Sequence, residues 1–300
     1  MSWQNFLLTL MLRRRMKRFA DRPPDVAAAR ALASKRAIKM PLQPGWRIRP
    51  ATTPVPGEWI ERQAGDDREH RTILYFHGGG YFFCSPQTHR AITINLAKRA
   101  EARVLVPAYR LAPEHRFPAA VEDALASYRA LLAAGTPAAR IVVGGDSAGG
   151  GLALALLLSL REAKEKLPAG AVLFSPWTDL AATGDSVRRN DRSDAMFRGH
   201  RIAENARIYL GDTPPTHPLA SPLYADLKGL PPLFMQASDS EVLLDDSTRL
   251  AEKATKAGVA VDFRAWRKLP HVWQYFAPML PEGRAALAEA AAFIRRVVPS

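Results

Sequence analysis

The chain has 300 residues, of which 47% are apolar, and a formal charge of +13. That length and apolar share suit one large catalytic domain with an added cap, and they exclude a disordered or low-complexity chain. Twelve Lys/Arg against two Asp in the first fifty residues carry +10 of the +13, so the body is close to neutral and the charge belongs to an N-terminal arm.

Residues 1–40 read as helical. Phe6-Leu-Leu-Thr-Leu-Met-Leu12 precedes Arg13-Arg-Arg-Met-Lys-Arg18, and Asp21-Arg-Pro-Pro24 separates this segment from the helix-forming run Ala27-Ala-Ala-Arg-Ala-Leu-Ala33. A secretory signal has the opposite order, basic residues before apolar ones, and the apolar run is too short to span a bilayer. With Cys84 as the single cysteine, which excludes an intrachain disulfide, the chain reads as a soluble cytoplasmic protein. Phe6, Leu7, Leu10 and Met11 make the first segment amphipathic. It reads as a cap helix laid over a pocket, not as a nucleic-acid or membrane contact.

From Trp46 the texture changes. Trp46-Arg-Ile-Arg49 and Glu58-Trp-Ile-Glu-Arg62 alternate about the turn Pro54-Val-Pro-Gly57, which predicts a strand pair. Continuous apolar runs follow at Thr72–Phe76, Val104–Pro107, Ile141–Gly144, Ala171–Ser175, Leu233–Ala237 and Val261–Trp266. Helical stretches at Gln87–Ala100, Pro118–Leu132, Ala148–Glu165 and Asp245–Ala257 separate them. Runs without alternation suit strands buried on both faces, and intervening helices supply the crossovers of a parallel sheet. The pattern predicts an α/β fold, a mostly parallel central sheet flanked by helices, with antiparallel strands at its start. Residues 183–225, rich in Arg, Pro and Asp, hold no strand candidate and read as an insertion. The expected division is cap helices over 1–45, a catalytic domain over 46–182 and 226–300, and a cap insertion over 183–225.

Chemistry enters at Gly145-Asp-Ser147-Ala-Gly149. A strand runs into it and the helical Ala148-Gly-Gly-Gly-Leu-Ala-Leu-Ala155 leaves it, which is the setting of a nucleophile elbow rather than of a serine that merely caps a helix. His77-Gly-Gly-Gly80 ends the strand Thr72–Phe76. Bare glycine N–H groups stabilise the oxyanion of acyl transfer, so Gly78, Gly79 and Ala148 are the expected donors. A phosphate-cradling loop would need a following Gly-Lys-Ser/Thr, which is absent. The triad order of this fold is Ser, acid, His. Of seven histidines, His200, His217 and His271 follow Ser147, and only His271, in Lys268-Leu-Pro-His-Val-Trp273, follows the last strand. The acid belongs to the loop after Leu233–Ala237, which offers Asp239, Glu241, Asp245 and Asp246. Spacing alone does not choose among them, although Asp245 and Asp246 read as caps of the next helix.

Together these motifs resemble the bacterial hormone-sensitive-lipase-like (family IV) esterases of the α/β-hydrolase superfamily. His77-Gly-Gly-Gly-Tyr81 and Gly145-Asp-Ser-Ala-Gly-Gly150 carry the likeness, with Tyr109-Arg-Leu-Ala-Pro-Glu-His115 and Phe117-Pro-Ala-Ala-Val-Glu-Asp123. The resemblance implies a carboxylesterase acting on short-to-medium acyl esters, without cofactor or metal, under a cap made of the N-terminal helices and the insertion. Where the family commonly has Asp-Pro-Leu-x-Asp, this chain has Glu241-Val-Leu-Leu-Asp245, which lays Glu241 on the catalytic acid and keeps Asp239 in reserve. Ser-Glu-Val-Leu-Leu-Asp-Asp-Ser and His-Val-Trp-Gln-Tyr-Phe-Ala-Pro-Met-Leu also look like members known as monoterpene ε-lactone hydrolases, so lactones enter as a second substrate class. Plant gibberellin receptors resemble the same family but lack the histidine; its presence here favours an enzyme over a binding module. Tyr81, Phe82, Phe83 and Trp177 are the expected pocket lining. Val261–Trp266, as the last strand, is the expected edge for a homodimer, a pairing common in the resembling family.

Overall fold

The computed structural model describes residues 2–17, 20–21, 24–38, 40–52, 54–63 and 71–299. Arg18, Arg22 and Lys39 of the basic arm lie outside the described residues, as does Pro23, so half of the expected Asp21-Arg-Pro-Pro24 break is outside them.

Eight strands form one sheet: β1 (Trp46–Ala51), β2 (Gly57–Arg62), β3 (Arg71–Phe76), β4 (Ala102–Pro107), β5 (Ile141–Asp146), β6 (Gly170–Phe174), β7 (Leu233–Ser238) and β8 (Val261–Trp266). Their spatial order is β1-β2-β4-β3-β5-β6-β7-β8. The β1/β2 and β2/β4 pairs are antiparallel and all later pairs parallel. Every residue of β3, β5, β6 and β7 is buried, which explains their unbroken apolar runs, whereas β1 alternates.

Side chains alternate across this sheet. Leu74, Phe76, Val143 and Leu173 pack with the helices Ala119–Ala133 and Ala148–Glu162 on one face. Ile73, Tyr75, Val142 and Val172 pack on the other face with Arg90–Ala100 and the C-terminal helix Pro281–Val297. That last helix is an addition to the predicted elements; Pro281 at its first turn and its alanine-rich run Ala285–Ala292 are the signals that mark it.

The insertion 183–225 contains the helices Ser186–Arg189 and Gly199–Leu210 and no strand. At the N-terminus, the helix Trp3–Leu12 runs on into a π-helical turn, Arg13–Lys17, and a second helix spans Val26–Arg36. This arm is tied down by polar contacts. Lys17 is buried and its ammonium donates to the carbonyls of Asp191 and, at 3.0 Å, Asp194. Arg30 donates to the Phe82 and Ala112 carbonyls, each at 2.9 Å, and forms a bidentate pair with Glu114. Part of the positive charge flagged by the sequence, that of Lys17 and Arg30, therefore fastens the arm to the body. Of the residues expected to cover a pocket, Met11 lines a large cavity, whereas Phe6, Leu7 and Leu10 face solvent, and Leu8 and Leu12 pack inward against Leu269, Trp273 and Leu280. Among the described residues no helix is long and apolar enough to cross a membrane.

Candidate active site

β5 delivers Ser147 at its C-terminal end. Ser147 has φ 53° and ψ −123°, a conformation few L-residues adopt, and the surroundings hold it there. Its N–H donates to the Phe174 carbonyl and its carbonyl accepts from Trp177 N–H, both at 2.9 Å. The turn needs glycine because the helix leaving it presses on the sheet. A Cβ on Gly149 would sit 2.0 Å from the Phe76 carbonyl oxygen. The serine thus stands at the start of Ala148–Glu162, where the helix dipole favours negative charge.

His271 and Glu241 meet beside it. His271 Nδ1 lies 2.5 Å from Glu241 Oε2, and both side chains are buried. Glu241 Oε1 is held by the Ser238 N–H at 2.8 Å, while the Asn190 side-chain amide donates to the Glu241 and Asp239 carbonyls at 2.9 and 3.0 Å. His271 Nε2 is buried without a hydrogen-bond partner, and Ser147 and His271 line one cavity. Burial by itself disfavours a charged imidazole here. Burial is the largest single influence, but the Glu241 carboxylate together with Asp194 and Asp146 overcomes it and holds the His271 pKa above the ordinary histidine value.

The other carboxylates of the loop are engaged elsewhere. Asp239 Oδ1 accepts from Lys268 N–H at 2.7 Å. Asp245 and Asp246 do not cap their own helix, as their position suggests, because Leu244–Lys256 has no side-chain cap. Asp245 Oδ2 instead accepts from Ser186 N–H at 2.8 Å, and Asp246 Oδ2 from Thr178 and Asp179 N–H, each at 2.8 Å. They fasten the segments on either side of the insertion's start to the loop bearing Glu241.

The three expected oxyanion donors sit in different surroundings. The Gly78 N–H and Asp146 Oδ2 both lie 3.2 Å from His89 Nε2, which can serve only one of them at a time, and the N–H groups of Gly79 and Ala148 have no protein acceptor among the described residues. Gly79 has φ +112°, and a Cβ there would strike the Phe83 carbonyl at 2.1 Å, so only glycine opens this backbone. Sequence reasoning missed His89 and Asp146, although Asp146 lies inside the quoted serine motif. Asp146 is buried, with its Oδ1 accepting from Tyr75 OH at 2.8 Å and its Oδ2 3.2 Å from His89 Nε2. Burial alone would raise its pKa; the neighbouring His89 ring and the hydroxyl outweigh it and keep it below the ordinary value.

The cavity measures about 490 Å³ and is mostly apolar. Phe82, Phe83 and Trp177 line it as expected, but Tyr81 is packed in the core, stacked on Tyr209 with ring centroids 3.8 Å apart. Met16, Leu32 and Ile38 of the N-terminal arm and Phe197 and Ile202 of the insertion complete the wall. The Phe197 ring also meets the His271 ring edge-on at 5.0 Å.

The sequence model of a family described as having the alpha/beta hydrolase fold matches residues 73–275. An acetyl-hydrolase of Streptomyces hygroscopicus is 48% identical over 238 residues, 79% of each chain. An esterase of Acinetobacter venetianus is 39% identical over 268 residues, 89% of this chain and 88% of its own. Among solved structures, an esterase from the bacterial hormone-sensitive lipase family superposes with a TM-score of 0.92 at 44% identity, covering 99% of both chains.

Proposed function

We propose, from the premise that this chain belongs to the alpha/beta hydrolase family and is a carboxylesterase of the hormone-sensitive-lipase type, that Ser147, His271 and Glu241 form its catalytic triad. The observation that carries this reading is the buried 2.5 Å contact between His271 Nδ1 and Glu241 Oε2, with Nε2 buried and without a hydrogen-bond partner, and with His271 and Ser147 lining one cavity. In the reaction Ser147 Oγ attacks the ester carbonyl while His271 Nε2 takes its proton. Glu241 fixes the imidazole tautomer and stabilises the imidazolium. The oxyanion rests on the N–H groups of Gly78, Gly79 and Ala148, of which those of Gly79 and Ala148 have no protein acceptor among the described residues. His271 then protonates the departing alcohol. Water attacks the acyl-Ser147, giving its proton to the same nitrogen; the intermediate then collapses, His271 returns that proton to Ser147 Oγ, and the carboxylic acid leaves.

Residues 1–45 and 183–225 serve as the cap over the 46–182 and 226–300 catalytic domain, a division supported by their shares of the cavity wall. An apolar cavity of about 490 Å³ suits short-to-medium acyl esters. Lactones use the same steps, with the alcohol still joined to the acyl group; this extension rests on two resembling segments alone.

The triad is tested by the pH profile of kcat/KM on p-nitrophenyl butyrate, which reports the free enzyme's base. A base must be neutral to accept the serine proton, and the Glu241 carboxylate raises the pKa of His271. Activity is therefore expected to fall on the acid side at a pH above the ordinary histidine value of about 6.5. An acid limb at or below that value overturns the pairing.

We also propose a homodimer through β8. It closes one end of the sheet and, among the described residues, pairs only with β7. Asp262 and Arg264 are drawn back to the C-terminal helix by Arg296 and Glu289, leaving a backbone edge open. Light scattering at micromolar concentration should give the mass of two chains, and a one-chain mass counts against the pairing.

A further inference from the structure

Among the described residues, the large apolar side chains that stand exposed are Trp3, Phe6, Leu7, Leu10, Met11 and Met279. Scattered exposed apolar residues are ordinary on a protein surface, but these are concentrated. Five lie on the single helix Trp3–Leu12, at positions 3, 6, 7, 10 and 11, which form one stripe at helical spacing. The sixth, Met279, shares with Met11 the lining of the active-site cavity. Trp3, Phe6 and Leu7 are 69%, 60% and 52% exposed, and the helix is anchored by its other side, through Leu8, Leu12 and the Asn5 amide on the Lys268 carbonyl at 2.9 Å. The stripe is therefore presented by a docked helix.

Charge says what covers it. Arg14 continues the stripe one turn on, Arg13 and Arg15 flank it, and all three are exposed. None has a carboxylate partner among the described residues, although elsewhere in the arm Arg30 is neutralised by Glu114 and Arg47 and Arg49 by Glu61. A second copy of the chain docking stripe to stripe would bring the two arginine clusters together, which opposes self-association through this face. A surface with an apolar interior and an anionic skin complements both features at once.

We infer that the helix Trp3–Leu12 docks the enzyme in the plane of an anionic lipid bilayer, with Trp3, Phe6, Leu7 and Leu10 in the acyl–headgroup boundary and Arg13 to Arg15 on the phosphates. Ten residues are too few to span a bilayer, so the helix lies along it. Docking brings Met11 and Met279, and with them the cavity wall, to the lipid, so that an ester dissolved in the bilayer passes to the cavity without crossing water. Phe6, Leu7 and Leu10, read from the sequence as facing a pocket, face outward here, while Met11 stands at the cavity. It stands apart from the assignment of the catalytic residues.

The test is co-flotation with vesicles of equimolar phosphatidylglycerol and phosphatidylcholine, beside vesicles of phosphatidylcholine alone. The full chain should float with the anionic vesicles, not with the neutral ones, and high salt should release it. Arg13→Gln and Arg14→Gln should each weaken partitioning about fivefold. The triple variant Trp3→Ser, Phe6→Ser, Leu7→Ser should abolish it. Hydrolysis of dissolved p-nitrophenyl butyrate should stay at the wild-type rate in all variants, which shows them folded, since none of these residues lines the cavity. The proposal falls if the wild type ignores anionic vesicles, if the arginine variants or the triple variant float as it does, or if the triple variant lowers the mass in light scattering while leaving flotation unchanged, which marks a contact between copies.

Discussion

Ser147→Ala is expected to lower kcat on p-nitrophenyl butyrate by about 10⁶-fold, the scale seen when a serine hydrolase loses its nucleophile. No acyl-enzyme forms without Oγ, and what turnover remains comes from the oxyanion donors and binding alone. The fold should be untouched. The residue at φ 53° keeps its Cβ in either form, so the backbone strain does not change. Its hydroxyl makes no cap hydrogen bond to the helix it starts, so removal costs that helix no cap. A change in unfolding free energy within about 0.5 kcal/mol is the matching expectation. Thermal unfolding and steady-state kinetics on one preparation separate the two effects. Turnover within tenfold of wild type would remove Ser147 from the mechanism.

Glu241→Gln is expected to cost about 10⁴-fold in kcat, as loss of the negative charge does in a serine protease triad. The amide keeps an oxygen for the Ser238 N–H at the Oε1 position. It can then present only its NH₂ to His271 Nδ1, so Nδ1 becomes the acceptor and the proton moves to Nε2. That is the tautomer unable to accept from Ser147, and an imidazolium there would have no counter-charge. The acid limb of the pH profile should also move down, because Glu241 is the largest influence raising the His271 pKa against burial. Asp239→Asn, two residues away, should change kcat less than about tenfold. Its carboxylate serves the Lys268 N–H, which an amide oxygen can also do, and a neutral acceptor costs roughly a kcal/mol. A mild Glu241→Gln beside a crippling Asp239→Asn would transfer the acid to Asp239.

Much of the catalytic domain was legible in the linear chain because the information is local. A buried apolar run leading through Gly145-Asp-Ser147-Ala-Gly149 into a helix former describes one strand, one turn and one helix, all within residues 141–162. Continuous runs without alternation mark strands covered on both faces, and β3, β5, β6 and β7 are such strands. Chain order then points to His271, since only one histidine follows the last strand.

What the chain could not decide depends on segments distant in sequence. Asp239 and Glu241 lie in one loop, and the choice between them is made by where the loop Lys268–His271 crosses it: Lys268 N–H meets Asp239, and the imidazole meets Glu241. Gly78 and Gly79 are equivalent in a run of three glycines, until His89 folds back eleven residues later to meet the first N–H. Tyr81 reads as pocket lining until Tyr209, from the insertion, stacks on it. The helix Trp3–Leu12 is apolar on two sides, so its periodicity names two faces and no direction. The pocket of Leu269, Trp273 and Leu280 takes Leu8 and Leu12, and by taking them turns Trp3, Phe6 and Leu7 outward. A sequence determines the shape of each element through neighbours three or four residues away, but which face is buried is a competition between surfaces, and only the assembled core decides it.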